Sequence, residues 1–96
     1  MNSPPLAPPP LALVTGGSRR IGQAIVEDLA ANGFAVAIHC NGSRDEAQRL
    51  AEDVAAKGLR SGVFSADLTR LSEVKALFPA VTAELGPVSI LVNNAS

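Results

Sequence analysis

Four short apolar runs, separated by three stretches of helical spacing, limit what this chain can fold into. The runs are Leu11 to Thr15 (LALVT), Phe34 to His39 (FAVAIH), Ser61 to Ser65 (SGVFS, the weakest) and Val88 to Val92 (VSILV). They show little of the apolar/polar alternation of a half-exposed strand, so they read as strands covered on both faces. Between the first two, Ile21, Ala24, Ile25 and Leu29 follow helical spacing, and Gly33 suits the stop. Ser43 and Glu46 form an S-x-x-E capping box ahead of Ala47, Leu50, Ala51 and Val54, and Gly58 can end that helix. Val74, Leu77, Phe78, Val81 and Leu85 make a third stripe, closed by Gly86-Pro87. Pro79 lies inside this stripe, where it removes a hydrogen bond, so a kink or a split helix is expected. The order β-α-β-α-β-α-β implies a parallel α/β sheet with helices on both faces and right-handed crossovers.

Composition narrows the function classes. A net charge of −1 and the absence of a basic run argue against nucleic-acid binding. No apolar run approaches the ~18 residues needed to span a bilayer, so no membrane partner is expected. Cys40 is the single cysteine, which excludes an intrachain disulfide and suits a reducing, cytoplasmic setting. MNSPPLAPPP has neither a basic n-region nor an apolar h-region, so it does not read as a secretory signal. Residues 1–10 are expected to be a proline-rich, loose tail, and residues 11–96 the folded unit.

In a sheet of this kind, ligands sit at the carboxyl ends of the strands, and the first strand-to-helix turn is the usual phosphate site. Helix N-termini offer unpaired N–H groups and a partial positive charge there. Here the turn is Thr15-Gly16-Gly17-Ser18-Arg19-Arg20-Ile21-Gly22. Gly16 and Gly17 permit a sharp turn and close approach to an anion, and Gly22 lets the helix pack against the sheet. The P-loop pattern fails, because Gln23 and Ala24 stand where Lys and Ser/Thr are required. The G-x-G-x-x-G pattern fails at Ser18 and Ile21.

The stretch resembles the T-G-x-x-x-G-x-G turn of short-chain dehydrogenases/reductases, with Arg20 in place of the second glycine. Asp67-Leu68 follows the third strand, where that family contacts adenine, and Asn93-Asn94-Ala95-Ser96 closes the fourth, where the family reads N-N-A-G. The resemblance covers residues 11–96. Arg20 together with N-N-A-S is similar to the pteridine-reductase-like branch, which uses T-G-x-x-x-R-x-G. His39-Cys40-Asn41-Gly42-Ser43 partly matches that branch's H-Y-x-R-S segment, with Cys40 in place of Tyr and the arginine displaced to Arg44.

The resemblance implies a doubly wound Rossmann-type sheet, here its N-terminal part, with strand order 3-2-1-4. It also implies a reductase that moves a hydride from a nicotinamide cofactor to a carbonyl or imine of a small-molecule substrate. NADP(H) is expected in particular. NAD-binding sheets carry an acid about 20 residues beyond the glycine turn to accept from the ribose 2′-OH. No acid occurs in His39 to Ser43, whereas Asn41, Ser43 and Arg44 can donate to a 2′-phosphate. Arg19 and Arg20 add planar donor forks suited to phosphate. The expected cofactor-binding residues are Gly16, Ser18, Arg19, Arg20, Ile21, Asn41, Ser43, Arg44, Asp67, Leu68, Asn93 and Ala95. Thr15, Asn93 and Asn94 are expected to tie the fourth strand to the turn, and His39 to be a strand-end residue.

No catalytic residue and no metal ligand is assigned. The family's Ser and Y-x-x-x-K lie beyond residue 96, and the chain contains no tyrosine. The remaining C-terminal half of the same protein is therefore an expected partner, and the family implies a homo-oligomer, a tetramer. A non-catalytic NADP(H)-binding or sensing module is the alternative from another class. A methyltransferase-like sheet is weakened by the missing acid after the second strand.

Overall fold

A computed structural model describes residues 8–95. The first seven residues of the expected tail, and Ser96 of the N-N-A-S motif, lie outside the described residues. The elements are β1 (Leu11–Thr15), α1 (Arg20–Ala31), β2 (Ala35–Cys40), α2 (Arg44–Ala55), β3 (Ser61–Ser65), α3 (Leu71–Leu85) and β4 (Ile90–Asn93). All strand pairs are parallel, and the sheet order is β3-β2-β1-β4. This is the doubly wound α/β arrangement expected from the sequence.

The strand residues divide the core between two faces. Val14, Val36, Ile38 and Cys40 meet Val26 and Ala30 of α1 and Ala47, Leu50, Ala51 and Val54 of α2. Leu11, Leu13, Ala35, Ala37 and Phe64 meet Leu77 and Val81 of α3 on the other face. β1 and β2 are buried along their whole length, which is why they carry no polar alternation. β4 forms a sheet edge, with Ile90 and Leu91 exposed.

Several local expectations shift. β2 begins and ends one residue later than read, and β4 covers Ile90–Asn93 rather than starting at Val88. The buried stripe of α1 is Gly22, Val26 and Ala30, while Ile21 and Ala24 face out. The S-x-x-E box of α2 does not close: Ser43 is the N-cap but makes no side-chain cap bond, because its hydroxyl accepts from Arg19 instead. In α3, Phe78 is 42% exposed and only Leu77 and Val81 are buried. Pro79 does not split that helix. Pro79 and Lys75 both face outward, so the Lys75 carbonyl deprived of its helical donor can be satisfied by water.

Gly33 acts as read. It has φ +87°, and its N–H donates to the Ala30 carbonyl while Phe34 N–H donates to Leu29. That paired closure is the Schellman end of a helix. The end of the tail is fastened: the Pro10 carbonyl accepts from Ala35 N–H, and the Pro9 carbonyl accepts from the Arg60 guanidinium at 2.6 Å.

Candidate functional site

The carboxyl ends of β1, β2, β3 and β4 converge on one cavity of about 640 Å³. The β1–α1 turn supplies Gly16, Ser18 and Arg19. The end of β2 and the following loop supply His39, Cys40, Asn41, Gly42 and Ser43. The segment after β3 supplies Asp67, Leu68 and Thr69, and the end of β4 supplies Asn94 and Ala95. Of the expected cofactor residues, Gly16, Ser18, Arg19, Asn41, Ser43, Asp67, Leu68 and Ala95 therefore line one cavity. Arg20, Ile21, Arg44 and Asn93 do not line it, and the first three are exposed beside it at the starts of α1 and α2.

The turn is fixed by groups outside it. Gly16 adopts φ +64°, a conformation that suits glycine. Its N–H donates to Nδ1 of His39 at 3.0 Å, and Gly17 N–H donates to the His39 carbonyl at 3.1 Å. Gly22 must be glycine on steric grounds, since a Cβ there would lie 2.1 Å from the Gly16 carbonyl oxygen and 2.7 Å from Nδ2 of Asn94. Arg20, where the family has its second glycine, adopts φ +33°, the one non-glycine positive φ among the described residues.

Thr15 anchors the end of β4. Its hydroxyl accepts from the N–H groups of Asn94 (2.9 Å) and Ala95 (3.1 Å). Its own proton is directed to Oδ1 of Asn93 at 3.2 Å or to the Val92 carbonyl at 3.4 Å. Nδ2 of Asn94 donates to the Gly16 carbonyl at 3.2 Å. The structural role read for Thr15, Asn93 and Asn94 corresponds to these bonds.

The charged groups are distributed in two parts. On the α1/α2 side, Nε of Arg19 donates to Oγ of Ser43 at 2.8 Å, joining the two helix starts. Arg20 and Arg44 open their helices, and no acidic residue occupies the first turn of α1. Asp45 and Glu46 balance Arg44 in the first turn of α2, whereas Arg19 and Arg20 stand uncompensated at the start of α1, where cations are disfavoured, so the α1 start suits an anionic ligand. On the β3 side, Oδ1 of Asp67 accepts from the hydroxyl (2.7 Å) and the N–H (2.9 Å) of Thr69. These two bonds, with Arg70 nearby, hold the Asp67 carboxyl below the usual carboxylate range. Oδ2 is the oxygen left for a ligand. Asp67 N–H donates to Oε1 of Glu73 at 2.8 Å, which fixes this loop to the first turn of α3. Burial pushes the Cys40 thiol up, only partly offset by Arg44, so it remains a protonated core group.

Sequence reasoning missed two features. His39 is nearly fully buried and bridges two loops rather than merely ending a strand. The D-x-T spacing of Asp67 and Thr69 is a readable Asx-turn signal. Among the described residues, no group of three His, Cys, Asp or Glu side chains could hold a metal.

A parallel sheet in 3-2-1-4 order, with a glycine turn and a cationic helix start at its carboxyl edge, defines a nucleotide-binding α/β protein. The chain matches the short chain dehydrogenase family over residues 10–96, and it belongs to that family. It is 49% identical to the FolM alternative dihydrofolate reductase 1 of Brucella canis, solved in complex with NADP (TM-score 0.85). That match covers 91% of this chain and 35% of the other. A blue fluorescent protein from a metagenomic library, solved with NADPH, is 38% identical with TM-score 0.86, over 93% of this chain and 37% of that one. The 3-oxoacyl-acyl-carrier-protein reductase FabG of Staphylococcus epidermidis is 43% identical over 84 residues, 88% of this chain and 34% of the relative. The chain thus spans about a third of the length of these relatives. No helix is long and apolar enough to cross a membrane among the described residues.

Proposed function

We propose that these residues form the cofactor-binding part of an NADPH-dependent short-chain reductase that transfers a hydride to a carbonyl or imine, on a substrate of the pteridine or dihydrofolate type. The observation that carries the cofactor is the Arg19–Ser43 bond of 2.8 Å beside an acid-free β2 end. In this reading the guanidinium and the hydroxyl receive the ribose 2′-phosphate, with Arg44 next in sequence. A carboxylate at that place would repel the phosphate. The NADP and NADPH complexes of the two similar structures support the same reading.

In this reading the residues serve the adenosine and pyrophosphate part of the cofactor. Gly16 and Gly17 direct their N–H groups at His39, so the free donors of the turn are those at the start of α1, toward the pyrophosphate. Oδ2 of Asp67 can accept from the adenine amino group, and Leu68 and Ala95 supply apolar surface. When bound, the nicotinamide supplies the hydride. The family's tyrosine proton donor is not among these residues, since the chain has no tyrosine. The similarity to an alternative dihydrofolate reductase, together with Arg20 and the N-N-A-S motif, supports the pterin-like substrate.

The test is fluorescence titration with NADPH and NADH, before and after Arg19→Ala. A charge-assisted contact of ~1.5–3 kcal/mol predicts a loss of roughly tenfold or more in NADPH affinity, with NADH little changed. Equal affinities for the two cofactors would overturn the assignment. Turnover of simple ketones without activity on dihydropterins or dihydrofolate would overturn the substrate class.

A further inference from the structure

We infer that His39 is a positioning residue for the dinucleotide, a two-ended tie between the phosphate turn and the adenine-side loop; this rests on the cofactor reading above. The ring is 2% exposed. Nδ1 lies 3.0 Å from Gly16 N, and a backbone N–H can only donate, so Nδ1 is the acceptor. Nε2 lies 2.8 Å from the Ala66 carbonyl, which can only accept, so Nε2 carries the proton. Both partners thus fix one neutral tautomer, with no choice left to the ring.

The placement of the two ends gives the tie its role. Gly16 opens the β1–α1 turn, and Ala66 precedes Asp67, whose carboxylate lines the same cavity. The backbone of His39 adds a third hold, since its carbonyl takes the Gly17 N–H. Glycine is the residue type least able to fix its own backbone. A side chain that occupies the Gly16 N–H sets where the remaining N–H groups of the turn point. The same ring spaces that turn from Asp67, so the pyrophosphate and adenine contacts are held at one separation.

The two ends can be cut separately. In His39→Asn, the amide oxygen can replace Nδ1 toward Gly16, but the side chain is too short for Ala66. In His39→Gln, the amide nitrogen can replace Nε2 toward Ala66, while the acceptor for Gly16 is lost. A structural core histidine would lose thermal stability in both variants and leave the NADPH affinity of the folded protein unchanged in both. The tie predicts instead that each variant weakens NADPH affinity, by roughly fivefold to tenfold, the worth of one buried hydrogen bond, because either cut frees one loop from the other.

The Gly16 amide gives a readout that needs no cofactor. Its hydrogen exchange should be slow in the unsubstituted protein and in the Asn variant, and fast in the Gln variant. A fast-exchanging Gly16 amide in the unsubstituted protein overturns the tie, and so does NADPH affinity left unchanged in either folded variant. Failure of the unsubstituted protein to bind NADPH, with Gly16 still protected, overturns the cofactor reading and with it the role of the tie in binding.

Discussion

Replacing Arg20 by glycine should stabilise the protein although it removes a charged side chain, and comparison with alanine isolates the reason. Arg20 opens α1 with φ +33°, in the left-handed region. A side chain with a Cβ costs about 1–2 kcal/mol there. Glycine avoids that cost but loses more backbone freedom on folding, about 0.5–1 kcal/mol. Arg20→Gly should therefore exceed Arg20→Ala in stability by ~0.5–1 kcal/mol. At an ordinary first-turn position the order is reversed, with alanine ahead by about the same amount. Both variants lose the same guanidinium and the same unfavourable cation at the helix N-terminus, worth ~0.3–1 kcal/mol, so both should exceed the parent. The measurement is a thermal or urea melt without cofactor, because a bound ligand would mask the difference by mass action. The glycine variant should melt about 2 °C or more above the alanine variant. A glycine variant melting at or below the alanine variant would refute the strain, and with it the view that this family position still has the backbone of a glycine.

Gly22→Ala should cost about 3 kcal/mol or more in denaturant unfolding, because its Cβ would overlap the Gly16 carbonyl at 2.1 Å and neither backbone can yield alone. Thr69→Val removes the hydroxyl bond to Asp67, so the carboxyl should titrate closer to the usual range of about 4, as read by carboxyl carbon NMR. The sign follows from the depressed native value: the stabilisation from Asp67 is present above the ordinary carboxylate range and is lost as pH falls through the lower native one, and the Val variant should lose part of this acid-limb dependence. Cys40, buried and with its thiol pushed up, should resist alkylation by iodoacetamide near neutral pH and react only on unfolding; rapid native-state labelling would contradict its placement in the core.

What the sequence made legible was whatever depends on near neighbours in the chain. β1 and β3 fell where the apolar runs lie, and Ala47, Leu50, Ala51 and Val54 form the buried face of α2 as their spacing implies. Gly33 closes α1 because its requirement for positive φ is local. Readings failed where a distant partner decided. The capping box at Ser43 is chemically sound, but the hydroxyl is taken by Arg19, 24 residues earlier. The face of α1 is rotated from Ile21 and Ala24 to Gly22 and Val26 because the helix approaches β1 through a glycine, and Gly22 carries no apolar atoms for a pattern to register.

The same distinction explains why most of the cavity lining could be named in advance while the bonds that shape it could not. Glycines in the turn were visible as residues that can come close to an anion. Their freedom also means that the turn cannot hold its own shape, and the restraints have to arrive from other strands. Two do so around Gly16, the His39 ring from β2 at its N–H and the Asn94 amide from beyond β4 at its carbonyl, while the Thr15 hydroxyl of β1 itself gathers the backbone of Asn94 and Ala95 against the strand end. Each restraint is a polar group 23 or more residues away in sequence, or is directed at one. Parallel pairing of β2 and β4 to either side of β1 is what delivers them, since it aligns all three carboxyl ends at one edge. The topology is thus itself part of the binding site: an antiparallel neighbour on either side would present its amino end to the turn and leave Gly16 without one of its fixed partners.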